Sequence, residues 1–211
     1  MLAGPTRILV LAPHTDDGEL GAGGALARWA EEGHDLHYVA FSACESSVPP
    51  GWPADVLRTE VADATGSLGV PREQLHVLEF EVRQFTRDRQ DILQAMVDLG
   101  RDLRPGLVLL PSLEDLHQDH QVIAEEGMRA FKRTSVLSYE IAWNTLAFRT
   151  TAFVELEERH VDAKITALSC YKSQGHRTYT DPGFLRSQLR FHGVQAGTTY
   201  AETFDVLRWM L

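Results

Sequence analysis

Two short polar clusters carry the residue types that hold metal ions and move protons. The first, His14-Thr15-Asp16-Asp17-Gly18-Glu19, follows directly on the apolar run Ile8-Leu9-Val10-Leu11 and its Ala12-Pro13 end. The second, His117-Gln118-Asp119-His120, comes shortly after Leu107-Val108-Leu109-Leu110-Pro111. Two adjacent carboxylates at the edge of a core repel each other, and a divalent cation would neutralise them. His14, Asp17 and His120 make a two-imidazole, one-carboxylate set. That donor mix suits zinc, and also iron(II), manganese or cobalt. Three protein ligands leave a position open for water, which a bound ion acidifies toward neutral pH. Asp16, next to a ligand but pointing elsewhere in a turn, is then the natural general base. His117 lies three residues before His120, so a helix starting there puts both imidazoles on one face. From that face it can protonate a leaving group or donate to an oxyanion. Asp119 is a candidate to orient an imidazole. Taken singly, each cluster reads first as a helix cap or turn. Together, at the carboxyl ends of two apolar runs, they read as one metal site.

The elements that must position these residues alternate. Strands are expected over Arg7–Ala12, Leu36–Phe41, Leu75–Phe80, Gly106–Pro111 and Ser135–Ile141. Helices are expected between them, over Leu20–Glu32, Ala54–Leu68, Thr86–Leu103 and Gln118–Lys132. Strand–helix alternation of this kind predicts an α/β fold, a Rossmann-like three-layer sandwich with a mostly parallel sheet and right-handed crossovers. Ligands of such sheets bind at the carboxyl ends of the strands, where both clusters fall. Beyond residue 145 the pattern is less regular. Strands at Thr150–Leu156 and Glu202–Arg208 and helices at Glu158–Tyr171 and Pro182–Arg190 predict a smaller C-terminal extension outside the core sheet. No linker or repeat divides the chain, so one domain over residues 1–211 is expected. The Gly18-x-x-Gly21-x-Gly23-Gly24 run departs from a dinucleotide fingerprint and reads as close helix–sheet packing.

Composition narrows the partners. The chain has 30 acidic against 20 basic residues and a formal net charge of -10, which argues against binding a nucleic-acid backbone. No apolar run approaches the roughly 20 residues of a membrane span. The segment Met1–Pro13 has too short an apolar run for a secretory signal. Two isolated cysteines, Cys44 and Cys170, suit a reducing cytoplasm.

The stretch Ala12-Pro13-His14-Thr15-Asp16-Asp17-Gly18-Glu19, with His117-Gln118-Asp119-His120, resembles the paired motifs of the PIG-L/LmbE family of zinc-dependent de-N-acetylases. Thr15 replaces the family's usual proline, and Gly18 is inserted before Glu19. Arg58-Thr59-Glu60 through Leu68-Gly69-Val70, Lys164 through Gln174, and Tyr200-Ala201-Glu202 with Phe204 extend the likeness over most of the chain. The resemblance implies that His14, Asp17 and His120 ligate the metal and Asp16 is the base. It implies that His117 is the acid or oxyanion stabiliser, tuned by Asp119. Arg58 and, more loosely, Tyr200 would contact substrate. The implied activity removes the acetyl group from an N-acetylated amino sugar, a small-molecule partner. A homo-oligomer is the expected assembly. Two other classes compete: a non-haem iron(II) oxygenase built on the same donor set, and a non-catalytic sugar- or nucleotide-binding protein.

Overall fold

The computed structural model describes residues 4–210. Seven strands form one sheet: β1 (Arg7–Ala12), β2 (Asp35–Ala40), β3 (Leu75–Val77), β4 (Leu107–Pro111), β5 (Ser135–Tyr139), β6 (Ala152–Leu156) and β7 (Tyr200–Arg208). Their order is β3-β2-β1-β4-β5-β7-β6, and β1 to β5 are mutually parallel. Six helices complete the layers: α1 (Asp17–Glu31), α2 (Val56–Ser67), α3 (Arg89–Leu103), α4 (Gln118–Ala130), α5 (Glu158–Ser169) and α6 (Pro182–Ala196).

The unbroken apolar run of β1 follows from burial on both faces. Ile8, Val10 and Ala12 join one core with residues of α1, α2 and α5. Leu9 and Leu11 join the other, with Ile92 and Met96 of α3 and Val122 and Ile123 of α4. The chain runs outward from β1 to β2 and β3 on one side, then returns to build β4 and β5 on the other. The strand order therefore reverses between β1 and β4, and the crevice at their carboxyl ends is where such sheets hold ligands.

The C-terminal strands differ from expectation. They extend the sheet instead of standing outside it. β7 pairs antiparallel with β5 (Tyr139↔Phe204) and with β6 (Val154↔Glu202). This covers the edge that β5 would otherwise leave unpaired. Helix α6 also runs six residues past its expected end, to Ala196, and stops at Gly197 in the left-handed region (φ +77). Helix α1 starts at Asp17, three residues earlier than expected, which brings the acidic pair to its N-terminus.

Close packing holds α1 in place. A Cβ at Gly21 would lie 2.2 Å from Cδ2 of Tyr139, and one at Gly24 would lie 2.5 Å from Cδ1 of Leu156. The buried ammonium of Lys164 donates to Glu202 Oε1 and to the Leu20 carbonyl, both at 2.6 Å. Glu202 in turn accepts from the amides of Gly24 and Ala25. The charge pair thus ties α1, α5 and β7 together with its polar atoms satisfied. No helix among the described residues is long and apolar enough to cross a membrane.

Candidate metal centre

His14 sits two residues beyond β1, and His117 and His120 lie at the start of α4, just beyond β4. The two strands are neighbours in register (Ile8↔Leu107), so their ends deliver both clusters to one crevice. Asp17 is the first residue of α1, and its Oδ2 accepts from the His14 amide at 2.8 Å. Three atoms converge there. His14 Nδ1 is 3.1 Å from Asp17 Oδ2, His120 Nε2 is 3.2 Å from the same oxygen, and the two nitrogens are 3.2 Å apart. Ligands about 2.0 Å from a tetrahedral ion lie about 3.3 Å from one another, so this triangle has the right size for zinc.

The second nitrogen of each ring is held by a carboxylate. His14 Nε2 lies 3.0 Å from Asp119 Oδ2, and His120 Nδ1 lies 2.8 Å from Asp115 Oδ2. Each carboxylate can hold a proton on its own side of the ring, which leaves the other nitrogen to act as a ligand once an ion displaces its proton. Electrostatics agree that positive charge is wanted there. Burial opposes charging His14, but Asp17 and the hydrogen bond to Asp119 lift it to about 9. Burial likewise opposes His120, which Asp17 and Asp115 lift to about 10. Asp17 is pushed up by burial, yet His120 and His14 hold it well below the usual carboxylate range. Two lone pairs and a carboxylate oxygen at this spacing are what a divalent ion satisfies.

His117 is arranged differently. It caps α4, and its Nδ1 accepts the Asp119 amide at 3.1 Å. That lone pair is spent on a backbone donor, so the neutral ring carries its proton on Nε2. Burial, then the charges of His14 and His120, hold its pKa down to about 4. The ring is a neutral donor at pH 7. The three histidines also offer nitrogens within 4.8 Å of one another, which makes a three-imidazole set the other grouping at this centre. Asp16 occupies the N-cap position of α1 beside the triangle with its side chain free of any capping bond, and burial followed by the Asp17 charge lifts its carboxyl to about 6. Glu19, fully buried below, meets the hydroxyls of Tyr38 and Tyr171, and burial pushes it to about 8.

The centre opens into a cavity of about 380 Å³ lined by His14, Asp16, Asp17, His117 and His120. Its outer wall includes Arg83, Arg177 and a stacked pair, Trp143 on Tyr179, with centroids 3.9 Å apart. Six of the eight expected site residues meet here. Asp119 lies against an imidazole, as one of its two expected roles had it, but the ring is that of His14 and not His117; its oxygens also accept from the amides of Arg83 at 2.6 Å and Phe85 at 3.4 Å. Arg58 points to a neighbouring cavity that shares only Cys44 and Val82 with this one, and is held by Glu45 at 3.0 Å. Tyr200 begins β7 beside Leu156, Val161 and Leu189, under Arg186, and does not line the cavity. Asp115 went unforeseen. Besides gripping His120, its Oδ1 accepts the His117 amide at 2.8 Å, and an isolated bridge to Thr145 fixes its loop. Its sequence signal was an aspartate two and five residues before the two histidines.

Residues 9–131 match the PIG-L family, described as GlcNAc-PI de-N-acetylase, and the chain belongs to that family. A relative from Escherichia coli K12, the uncharacterized deacetylase YaiS, is 28% identical over 173 residues, 79% of this chain and 90% of YaiS. The diacetylchitobiose deacetylase of Thermococcus kodakarensis is 23% identical over 93% of this chain and 81% of its own length. Among solved structures, GalB, the 4-carboxy-2-hydroxymuconate hydratase of Pseudomonas putida KT2440, superposes with a TM-score of 0.78 at 22% identity, covering 98% of both chains. The last likeness is one of fold.

Proposed function

We propose that this protein is a zinc-dependent N-deacetylase that removes the acetyl group from an N-acetylated amino sugar or glycoconjugate. The observation that carries the reading is the triangle of free donors, each imidazole backed by a carboxylate, with a base and a neutral donor beside it. His14, Asp17 and His120 would hold the ion; iron(II), manganese and cobalt suit the same donors. A bound ion would supply Lewis acidity and lower the pKa of water at the site. Asp16, raised toward neutrality, takes a proton from the attacking water and returns it to the departing amine nitrogen. His117 Nε2–H donates to the oxyanion that develops on the amide oxygen. Asp115 and Asp119 keep the ligand rings in the tautomers that this division of labour requires.

The α/β sheet removes the setting in which a two-histidine, one-carboxylate oxygenase is expected. Because the fold also carries a hydratase, product identity decides the chemistry. Zinc-loaded protein given diacetylchitobiose should release acetate and a free amine in equal amounts, and chelation followed by zinc should abolish and restore release. Release that survives chelation, or N-acetyl groups left intact on diacetylchitobiose after incubation with zinc-loaded protein, contradicts the proposal. Two further placements belong to it. The free thiols of Cys44 and Cys170 fit a cytoplasmic location. A homo-oligomer is the proposed assembly, and light scattering showing a strict monomer refutes it.

A further inference from the structure

The cavity has the histidine–aspartate centre at its floor and two exposed arginines at its rim. In a chain with 30 acidic and 20 basic residues, most arginines sit against carboxylates, as Arg87 does on Asp88 and Arg186 on Asp162. Arg83 and Arg177 are among the seven that do not, and of those seven they are the two that line the cavity. Both line the cavity, and neither has a carboxylate within 4.0 Å among the described residues. Among the described residues the only side-chain partner of the Arg83 guanidinium is Ser47 Oγ at 3.3 Å, itself a lining residue. Each guanidinium therefore keeps donors free for a ligand.

The backbone at Arg83 is also held in an uncommon state. Its φ is +69, a left-handed conformation uncommon for a non-glycine residue. In that conformation its amide donates to Asp119 Oδ2 at 2.6 Å. Asp119 is the carboxylate that orients His14, so one side chain fixes both a ring of the metal centre and the arginine at the rim. Arg177 comes from a separate segment, beside Tyr179 of the aromatic stack. Two unpaired cations from two segments, one anchored to the centre, have no structural partner to serve.

We propose that the acetylated amino sugar carries an anionic group, a phosphate or a carboxylate, received by Arg83 and Arg177 at the cavity rim. This rests on the deacetylase reading for the identity of the sugar. Charge-assisted bonds from a guanidinium fork are strong enough to dominate selection among otherwise similar sugars.

The test is calorimetric titration of zinc-loaded protein with N-acetylglucosamine 6-phosphate, N-acetylmuramic acid and N-acetylglucosamine, with acetate release followed for each. At least one anionic sugar should bind about tenfold or more tightly than the neutral one, and the two arms tell phosphate from carboxylate. Arg83→Gln and Arg177→Gln should each remove most of that preference, and Arg177→Lys should restore part of it. Equal binding of all three sugars overturns the inference, as does a preference that survives both glutamine substitutions, which would place the anion on the ion itself. Acetate from the neutral sugar alone, without anionic preference, overturns the rim site and leaves the deacetylase standing. Anionic preference with acetate from none of the three, nor from diacetylchitobiose, supports the rim site and refutes the deacetylase.

Discussion

Asp115→Asn should weaken zinc binding without touching a ligand. Asp115 accepts two donors at once: His120 Nδ1–H at 2.8 Å and the His117 amide at 2.8 Å, from a side chain shut off from solvent. An asparagine offers one acceptor and one donor. If its oxygen faces the His117 amide, its NH2 meets His120 Nδ1 and drives the ring proton onto Nε2, the nitrogen that points at the centre. If it flips, the NH2 meets the amide, and a buried N–H loses its partner. Either way one charge-assisted bond is lost, worth about 1.5–3 kcal/mol. That corresponds to about 10–100-fold in zinc affinity, the usual range for partners behind a metal ligand. Competition against a chromophoric chelator measures it, with Asp119→Asn as the parallel change on the His14 side. Zinc affinity within about threefold of the unaltered protein would refute the claim that Asp115 sets the His120 tautomer.

Three further outcomes are expected. His117→Ala should keep its zinc and lose about 10²–10³-fold in turnover, because its free nitrogen is a proton donor; zinc loss matching that of His120→Ala would favour the three-imidazole grouping instead. Gly21→Ala should cost about 1–3 kcal/mol, read as a lower urea midpoint, since the new Cβ lies 2.2 Å from buried Tyr139; an unchanged midpoint contradicts the packing account. Glu140 and His192 meet at 3.2 Å, where burial opposes both charges but their hydrogen bond lowers the carboxyl and raises the imidazole. The Glu140 contribution is present above its unfolded value of 4.5, and that of His192 is complete below its unfolded value of 6.5 and lost as pH rises through the folded one. Glu140→Gln should therefore cost most in thermal stability between about pH 4.5 and 6.5 and less at higher pH, and a cost that grows from pH 6 to 9 refutes the pairing.

The ends of β1 and β4 were legible because fully buried parallel strands read as continuous apolar runs, and motifs placed after them land in one crevice. His14, Asp17, His117 and His120 were found for that reason. Periodicity says less about where partners come from. Asp115 looked like an ordinary loop residue, since its value depends on a tautomer and a hydrogen bond that no spacing rule contains. The left-handed turn at Arg83 is tied by its amide to Asp119, 36 residues away in sequence. Trp143, Arg177 and Tyr179 reach the cavity from loops outside any recognisable pattern. The C-terminal strands were recognised as strands, but their antiparallel pairing with β5 is a long-range choice invisible in local sequence. Arg58 and Tyr200 were assigned by likeness at particular positions, and local packing takes their side chains elsewhere.

The division of labour between the adjacent aspartates tests the account most directly. Asp17 Oδ2 stands 3.1 and 3.2 Å from the two ring nitrogens, while Asp16 lines the cavity beside them. Zinc content and acetate release should be measured together for Asp16→Asn and Asp17→Asn. Asp16→Asn should retain about one zinc per chain and lose about 10²–10⁴-fold in turnover, the worth of a general base. Asp17→Asn should lose zinc, because a neutral amide is a poorer ligand than a carboxylate. Zinc lost from Asp16→Asn and kept by Asp17→Asn would invert the assignment, and two variants with unchanged zinc and unchanged rate would contradict the deacetylase centre itself.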